Sequence, residues 1–149
     1  MKNDYIYMKL ALKEAEKSLE FDDVPVGALI VKNDKIISKA HNQKEKKQIA
    51  TKHAEIIAIE RACRKLNTWH LDDCTLYVTV EPCLMCSGAM IQSRIDRVVY
   101  ATKNEKFGYI ESVEKIFENK NNHNVKITNG IYEKEAKELI QKFFKKKRR

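Results

Sequence analysis

The run TLYVTV at residues 75–80, rich in β-branched side chains, reads as a strand. The residues that follow it, Glu81-Pro82-Cys83-Leu84-Met85-Cys86, do not let it continue. Proline cannot donate to a ladder, but it suits the first position of a helix, where no backbone N–H is needed. A helix is therefore expected from EPCLMC through Ile91. Residues three apart on a first turn share a face, so Cys83 and Cys86 would present both thiols to one point. A strand that hands over directly to a helix is the building unit of an α/β fold.

The rest of the chain extends that pattern. Ile6, Leu10, Ala11, Ala15 and Leu19 recur at three and four, which predicts an amphipathic helix over residues 5–19 that ends near Phe21. VGALIV at 26–31 and IISKA at 36–40 flank a polar link, 32–35, short enough for a hairpin. After a polar loop at 41–50, a second helix is expected over 52–65, with Ile56, Ile59, Ala62 and Cys63 inward. RVVYA at 97–101 and NVKITN at 124–129 supply a fourth and a fifth strand, and a final helix runs from Glu133 to about Lys145 before KKKRR. Residues 103–122 carry the weakest pattern, with a short helix expected at 112–117. A hairpin followed by alternating helices and strands predicts a three-layer α/β/α domain with a five-stranded mixed sheet. At 149 residues and 43% hydrophobic, the chain suffices for one such domain over 1–149.

The thiol pair needs a chemistry. The first residues alternate charge with apolar side chains at helical spacing, unlike the apolar core of a signal peptide, and no later run approaches a membrane span. A soluble, cytoplasmic protein is the expectation, and in that setting Cys63, Cys74, Cys83 and Cys86 do not read as a disulfide framework. On its own, Cys-x-x-Cys serves redox chemistry, metal binding or neither. The discriminating feature lies upstream, in His53-Ala54-Glu55 at the start of the second helix. His53 completes a set of one histidine and two cysteines, and a zinc ion held by three protein ligands keeps its fourth position for water. Residues two apart do not share a helical face, yet His53 and Glu55 can both reach a metal held off the helix end. A carboxylate there that is not a ligand can move a proton from water to a substrate nitrogen. Cys63, inward on its helix, and Cys74, just before a strand, read as packed thiols. The excess of 29 Lys+Arg over 21 Asp+Glu fits either a polyanionic partner or a solvated surface.

His-x-Glu followed by Pro-Cys-x-x-Cys is the signature of the zinc nucleobase deaminases. The chain resembles the cytidine-deaminase-like superfamily and, within it, the bacterial tRNA adenosine deaminases. The likeness runs through VPVGALIV at 24–31, Asn42, KHAEIIAI at 52–59, TLYVTVEPCLMCSGAMIQSRIDRVVYA at 75–101 and HNVKITNGI at 123–131. It implies a homodimeric hydrolase, with one Zn2+ per chain, that converts the wobble adenosine of a tRNA anticodon loop to inosine. His53, Cys83 and Cys86 match the family's zinc ligands, and Glu55 its proton shuttle. Asn42 matches a contact to the substrate nucleoside, and the backbone around Ala28 the lining of the base pocket. Phe143 and Phe144, with the basic tail, match a C-terminal helix that helps hold the anticodon loop. Deamination of a free base or nucleotide (cytosine, guanine or deoxycytidylate) by the same zinc site is the alternative. One stretch departs from the family, which commonly has Asp-x-Lys-x-Gly followed by small residues. Here Asn104-Glu105-Lys106-Phe107-Gly108 and the residues up to Ser112 put an amide for the acid and bulk for Gly or Ala. That loop is expected to touch nucleotides flanking the target.

Overall fold

In chain order, residues 2–148, which the computed structural model describes, form α1 (Lys2–Lys17), β1 (Gly27–Lys32), β2 (Lys35–His41), α2 (Lys44–Lys47), α3 (Ala54–Leu66), β3 (Cys74–Val80), α4 (Leu84–Gln92), β4 (Arg97–Thr102), β5 (Lys126–Asn129) and α5 (Glu133–Lys147). Short 3-10 turns occupy Ser18–Phe21 and Ile116–Glu118. The last residue of the basic tail, Arg149, lies outside the described residues. The strands lie in the order β2-β1-β3-β4-β5, antiparallel at the first two junctions and parallel at the last two. This is the mixed five-stranded sheet expected of a hairpin followed by helical crossovers. The hairpin turn is tighter than the expected link. Lys32 pairs with Lys35, and Asn33 and Asp34 both take positive φ (50° and 59°), the turn whose twist matches that of the strands. No helix among the described residues is long and apolar enough to cross a membrane.

Alternation along the strands divides the core into two layers. Ala28, Ile30, Leu76, Val78, Val98 and Tyr100 pack with α3 and α4. Leu29, Val31, Tyr77, Val99 and Ala101 pack with α1 and α5. Two helical faces differ from expectation. Ile6 on α1 and Leu19 in the turn that follows it are exposed at 58% and 41%, while Tyr7, Met8, Ala11 and Ala15 are buried. The cause is the closeness of α1 to β1: a Cβ on Gly27 would lie 2.0 Å from the Ala11 carbonyl oxygen and 2.5 Å from the Ala15 nitrogen. Only small residues fit where two backbones meet so closely. On α3 the buried stripe is Ala54, Ile57, Ala58 and Ala62, while Ile59 and Cys63 pack at its edge and Ile56 is half-buried. The helix expected at 112–117 is replaced by the 3-10 turn Ile116–Glu118. The Ile116 N–H, which such a helix would direct to the Ser112 carbonyl, donates instead to the Tyr109 carbonyl at 3.2 Å.

At the start of β4 a polar cluster ties α1 to the sheet. Arg97 donates twice to the Asp4 carboxylate, at 2.6 and 3.0 Å, and the Tyr77 hydroxyl donates to it at 2.6 Å. Arg97 also reaches Thr128 on β5 at 3.1 Å. A cleft of about 530 Å³ lies beside this cluster, and its one guanidinium, Arg97, is engaged with Asp4. Asp4 is 2% exposed, so Arg97→Ala would strip a buried carboxylate of its guanidinium. The expected cost is about 3 kcal/mol in denaturant unfolding at neutral pH. Burial acts to raise the pKa of Asp4, but the hydrogen bonds from Arg97 and Tyr77 outweigh it and the value is lowered. A lowered carboxylate pKa stabilises fully above the unfolded value, near pH 4, and that contribution is lost as pH falls through the folded value. Asp4→Asn is accordingly expected to flatten the acid side of the stability curve below about pH 4.

Candidate metal centre

Two helix starts converge where β3 ends. His53 is the N-cap of α3 and Cys83 the N-cap of α4, both in extended backbone (φ −79° and −75°). A side chain at an N-cap projects off the helix end, which lets residues of two helices meet. Cys86, one turn into α4, is fully buried. His53 Nδ1 lies 3.6 Å from Cys83 Sγ and 3.6 Å from Cys86 Sγ, and the three ligand atoms lie within 4.8 Å of one another. Pro82 stands one residue before the N-cap, not at the first helical position. Its carbonyl is thereby free of the helical ladder and accepts the Tyr109 N–H at 3.0 Å.

The electrostatics suit a cation. The hydrogen bond from Cys86, joined by His53, draws the Cys83 thiol down to about 4 against the effect of burial. Cys86 is pushed well above the usual thiol range by its bond to Cys83, by burial and by the charge of Glu55. The bond to Cys83 raises His53 against burial. Cys86 and His53 thus hold protons that a divalent ion would displace, Cys83 is already a thiolate at neutral pH, and two helix N-termini add positive potential that favours thiolates. One nitrogen and two sulfurs from the protein is a donor set that suits zinc in a site that keeps one position for a reactant.

Glu55 stands on the first turn of α3, 4% exposed, with its carboxyl close enough to the cluster to feel the charges of Cys83 and His53. It belongs to the edge of the cluster and not to the three ligand groups. Burial, reinforced by the charge of Cys83, pushes its pKa up to about 7. Asn42 Oδ1 accepts the Ala54 N–H at 2.7 Å, so the planar amide carries its two N–H donors on the other side. Asn42 also lines a cleft of about 580 Å³ together with Phe21, Lys44, Phe143, Phe144 and Lys147. Phe143 is buried, Phe144 is 43% exposed, and their rings meet edge to face at 5.2 Å. Three of the residues singled out as substrate contacts therefore share one cleft. Ala28 is fully buried in β1 between Ala40 and Val78. Cys74 is a packed thiol, raised to about 11 chiefly by burial, and Cys63 is half-buried beside the core.

Sequence reasoning passed over two acidic residues. Asp23 accepts the N–H groups of Glu45 at 2.6 Å and Lys46 at 3.1 Å, which creates α2 inside the expected polar loop. Glu81, 2% exposed, accepts five hydrogen bonds from residues 104–112. The signal for Glu81 was a carboxylate set between a buried strand and a proline, a place where an unpartnered charge is costly.

The model of the MafB19-like deaminase family matches residues 2–148. A tRNA-specific adenosine deaminase of Aquifex aeolicus is 49% identical over 143 residues, covering 95% of this chain and 94% of that protein. Its counterpart in Bacillus subtilis is 41% identical over 150 residues, covering 100% of this chain and 93% of that protein. A solved structure from work on A-to-I editing by tRNA deaminases at the wobble position superposes with a TM-score of 0.87 at 36% identity. It covers 89% of this chain and 97% of the other. With matches of this extent on both sequence and fold, the chain belongs to the MafB19-like deaminases and, among them, to the family of tRNA-specific adenosine deaminases.

Proposed function

We propose that this chain, acting as one deaminase domain, hydrolyses the wobble adenosine of a tRNA anticodon loop to inosine, with one zinc ion bound by His53, Cys83 and Cys86. The observation that carries the reading is the cluster of His53 Nδ1, Cys83 Sγ and Cys86 Sγ, with the buried Glu55 carboxyl at its edge. When bound there, zinc supplies a Lewis acid that makes hydroxide available near neutral pH. Glu55, buried and just outside the ligand set, takes the proton from the attacking water and delivers it to the ring nitrogen beside the carbon that bears the amino group. The C–O bond forms at that carbon, and the C–N bond then breaks with a second proton carried through Glu55, releasing ammonia. The Asn42 amide donors orient the nucleoside, with the backbone around Ala28 lining the base pocket. Phe143 and Phe144 stack in the adjoining cleft, where Lys44 and Lys147 meet phosphate.

An anticodon loop suits such a site because its bases are already unpaired, which spares part of the few kcal/mol of base flipping. Family likeness supports a homodimer acting in the cytoplasm. Sizing the purified protein against the 17.4 kDa chain tests the first of these. The function itself is tested by incubating the metal-loaded protein with a transcript carrying adenosine at the wobble position and analysing its nucleosides by mass. Inosine at that position, with no ammonia from free adenosine, guanine or cytosine, is the expected result. Ammonia from a free base or nucleotide together with unaltered RNA would overturn it in favour of the free-substrate alternative.

A further inference from the structure

The five groups that face the Glu81 carboxylate are all donors. Oε1 accepts the Asn104 N–H at 3.1 Å and the Ser112 hydroxyl. Oε2 accepts the N–H groups of Ile110 at 3.0 Å, Glu111 at 2.7 Å and Ser112 at 3.0 Å. Among the described residues it has no ion-pair partner, so this buried charge is satisfied entirely by one loop. The loop is shaped to reach it. A Cβ on Gly108 would lie 2.3 Å from the Glu81 carboxyl carbon and 2.4 Å from Oε1, so glycine is required there for space. The main chain is tied on both sides of the carboxylate, through Glu81 N–H to the Thr102 carbonyl at 2.8 Å and Tyr109 N–H to the Pro82 carbonyl at 3.0 Å. Cys83 follows immediately. On its outer side the loop exposes Glu105, Lys106 and Phe107, the last at 63%, with Lys103 exposed just before it. An exposed aromatic ring among lysines offers a base a stacking face and its phosphates a counter-charge.

We propose that Glu81 is a positioning residue for RNA binding: its carboxylate latches residues 104–112 to the start of the metal-ligand helix and so holds Lys106 and Phe107 against the nucleotides beside the target. The proposal rests on the reading of the chain as an RNA deaminase. A carboxylate is needed in this place, since the amide of glutamine would turn an N–H2 toward backbone N–H groups that can only donate, the Ser112 hydroxyl alone being able to accept from it. Glu81 touches neither the metal cluster nor the reacting atoms, and it acts through the loop.

The test uses metal-loaded Glu81→Gln and Gly108→Ala, the second of which drives a methyl group into the carboxylate. For both, KM for an anticodon stem-loop is expected to rise about tenfold with kcat within about twofold and zinc at the wild-type level. Amide exchange of Ile110, Glu111 and Ser112 is expected to quicken by at least about tenfold, while amides in the interior of α4 keep their protection. Phe107→Ala should raise KM without quickening those amides, and its effect on KM should largely vanish in the Glu81→Gln background. Unchanged exchange at 110–112 in both variants overturns the latch. A fall of kcat and zinc together at constant KM overturns the RNA-positioning role and leaves Glu81 a plain stability residue. Should the wild-type protein form no inosine in any RNA, the proposed function fails and the positioning role with it, while the exchange measurement still decides the latch.

Discussion

Glu55→Gln is expected to lower turnover by about 10³- to 10⁴-fold while the protein keeps one zinc per chain. The size of the effect follows from position. Glu55 lies outside the three ligand groups, so its loss leaves His53, Cys83 and Cys86 as they are. The carboxyl is nonetheless 4% exposed and feels the charges of Cys83 and His53, which sets it beside any reactant held by those groups. Glutamine keeps the volume and one acceptor oxygen but cannot accept and release a proton, so the expected loss is the proton transfer and little else. Removing a buried carboxyl spares the fold the desolvation of a charge, and the melting temperature should hold or rise. Metal stoichiometry by elemental mass analysis and inosine formation on the same sample separate the two roles. Inosine formation within about tenfold of wild type would show that some other group carries the proton.

The parts of the site that could be read from the chain alone are those whose geometry is local. His53 and Glu55 take the first positions of one helix and Cys83 and Cys86 those of another, so the spacing of each pair already states what it can reach. The strand β3 and the hairpin were legible for the same reason, as β-branched runs bounded by turn residues. What failed depended on partners far along the chain. The inward stripe of α1 turns on Gly27, whose backbone leaves room only for Ala11 and Ala15. The turn α2 exists because Asp23 supplies its cap, and the helix expected at 112–117 gives way to a loop whose Ile116 N–H donates to the Tyr109 carbonyl and whose residues 104–112 are gathered on Glu81. In each case a hydrogen bond or a backbone contact between segments far apart in the chain decided a conformation that local propensity left open. Asn42 is intermediate. Its place after β2 was visible, but its bond to Ala54, which fixes the amide against the start of α3, was not.

Cys86→Ser is expected to lose both the metal and the activity, and it tests the cluster more severely than a change at its rim. Cys86 is fully buried and its Sγ lies 3.6 Å from His53 Nδ1, so the substitution changes the donor and hardly the packing. A serine hydroxyl is a hard, protonated oxygen that zinc does not prefer, which leaves two protein ligands where a catalytic ion takes three. After dialysis against a chelator that leaves wild type with one zinc per chain, the variant is expected to retain less than about a tenth as much. Its turnover should fall at least about 10³-fold, because the Lewis acid that makes hydroxide available near neutral pH is lost with the metal. Thermal stability supplies an independent reading. A ligand that binds only the folded state adds about 4 kcal/mol when present at about 1,000 times its dissociation constant. Wild type should therefore melt at a distinctly higher temperature with zinc than with chelator, whereas Cys86→Ser should melt at the same temperature in both. A variant that kept a full equivalent of zinc would rule Cys86 out as a ligand. A wild-type protein whose melting did not respond to zinc would rule out the metal centre itself, and with it the role given to Glu55.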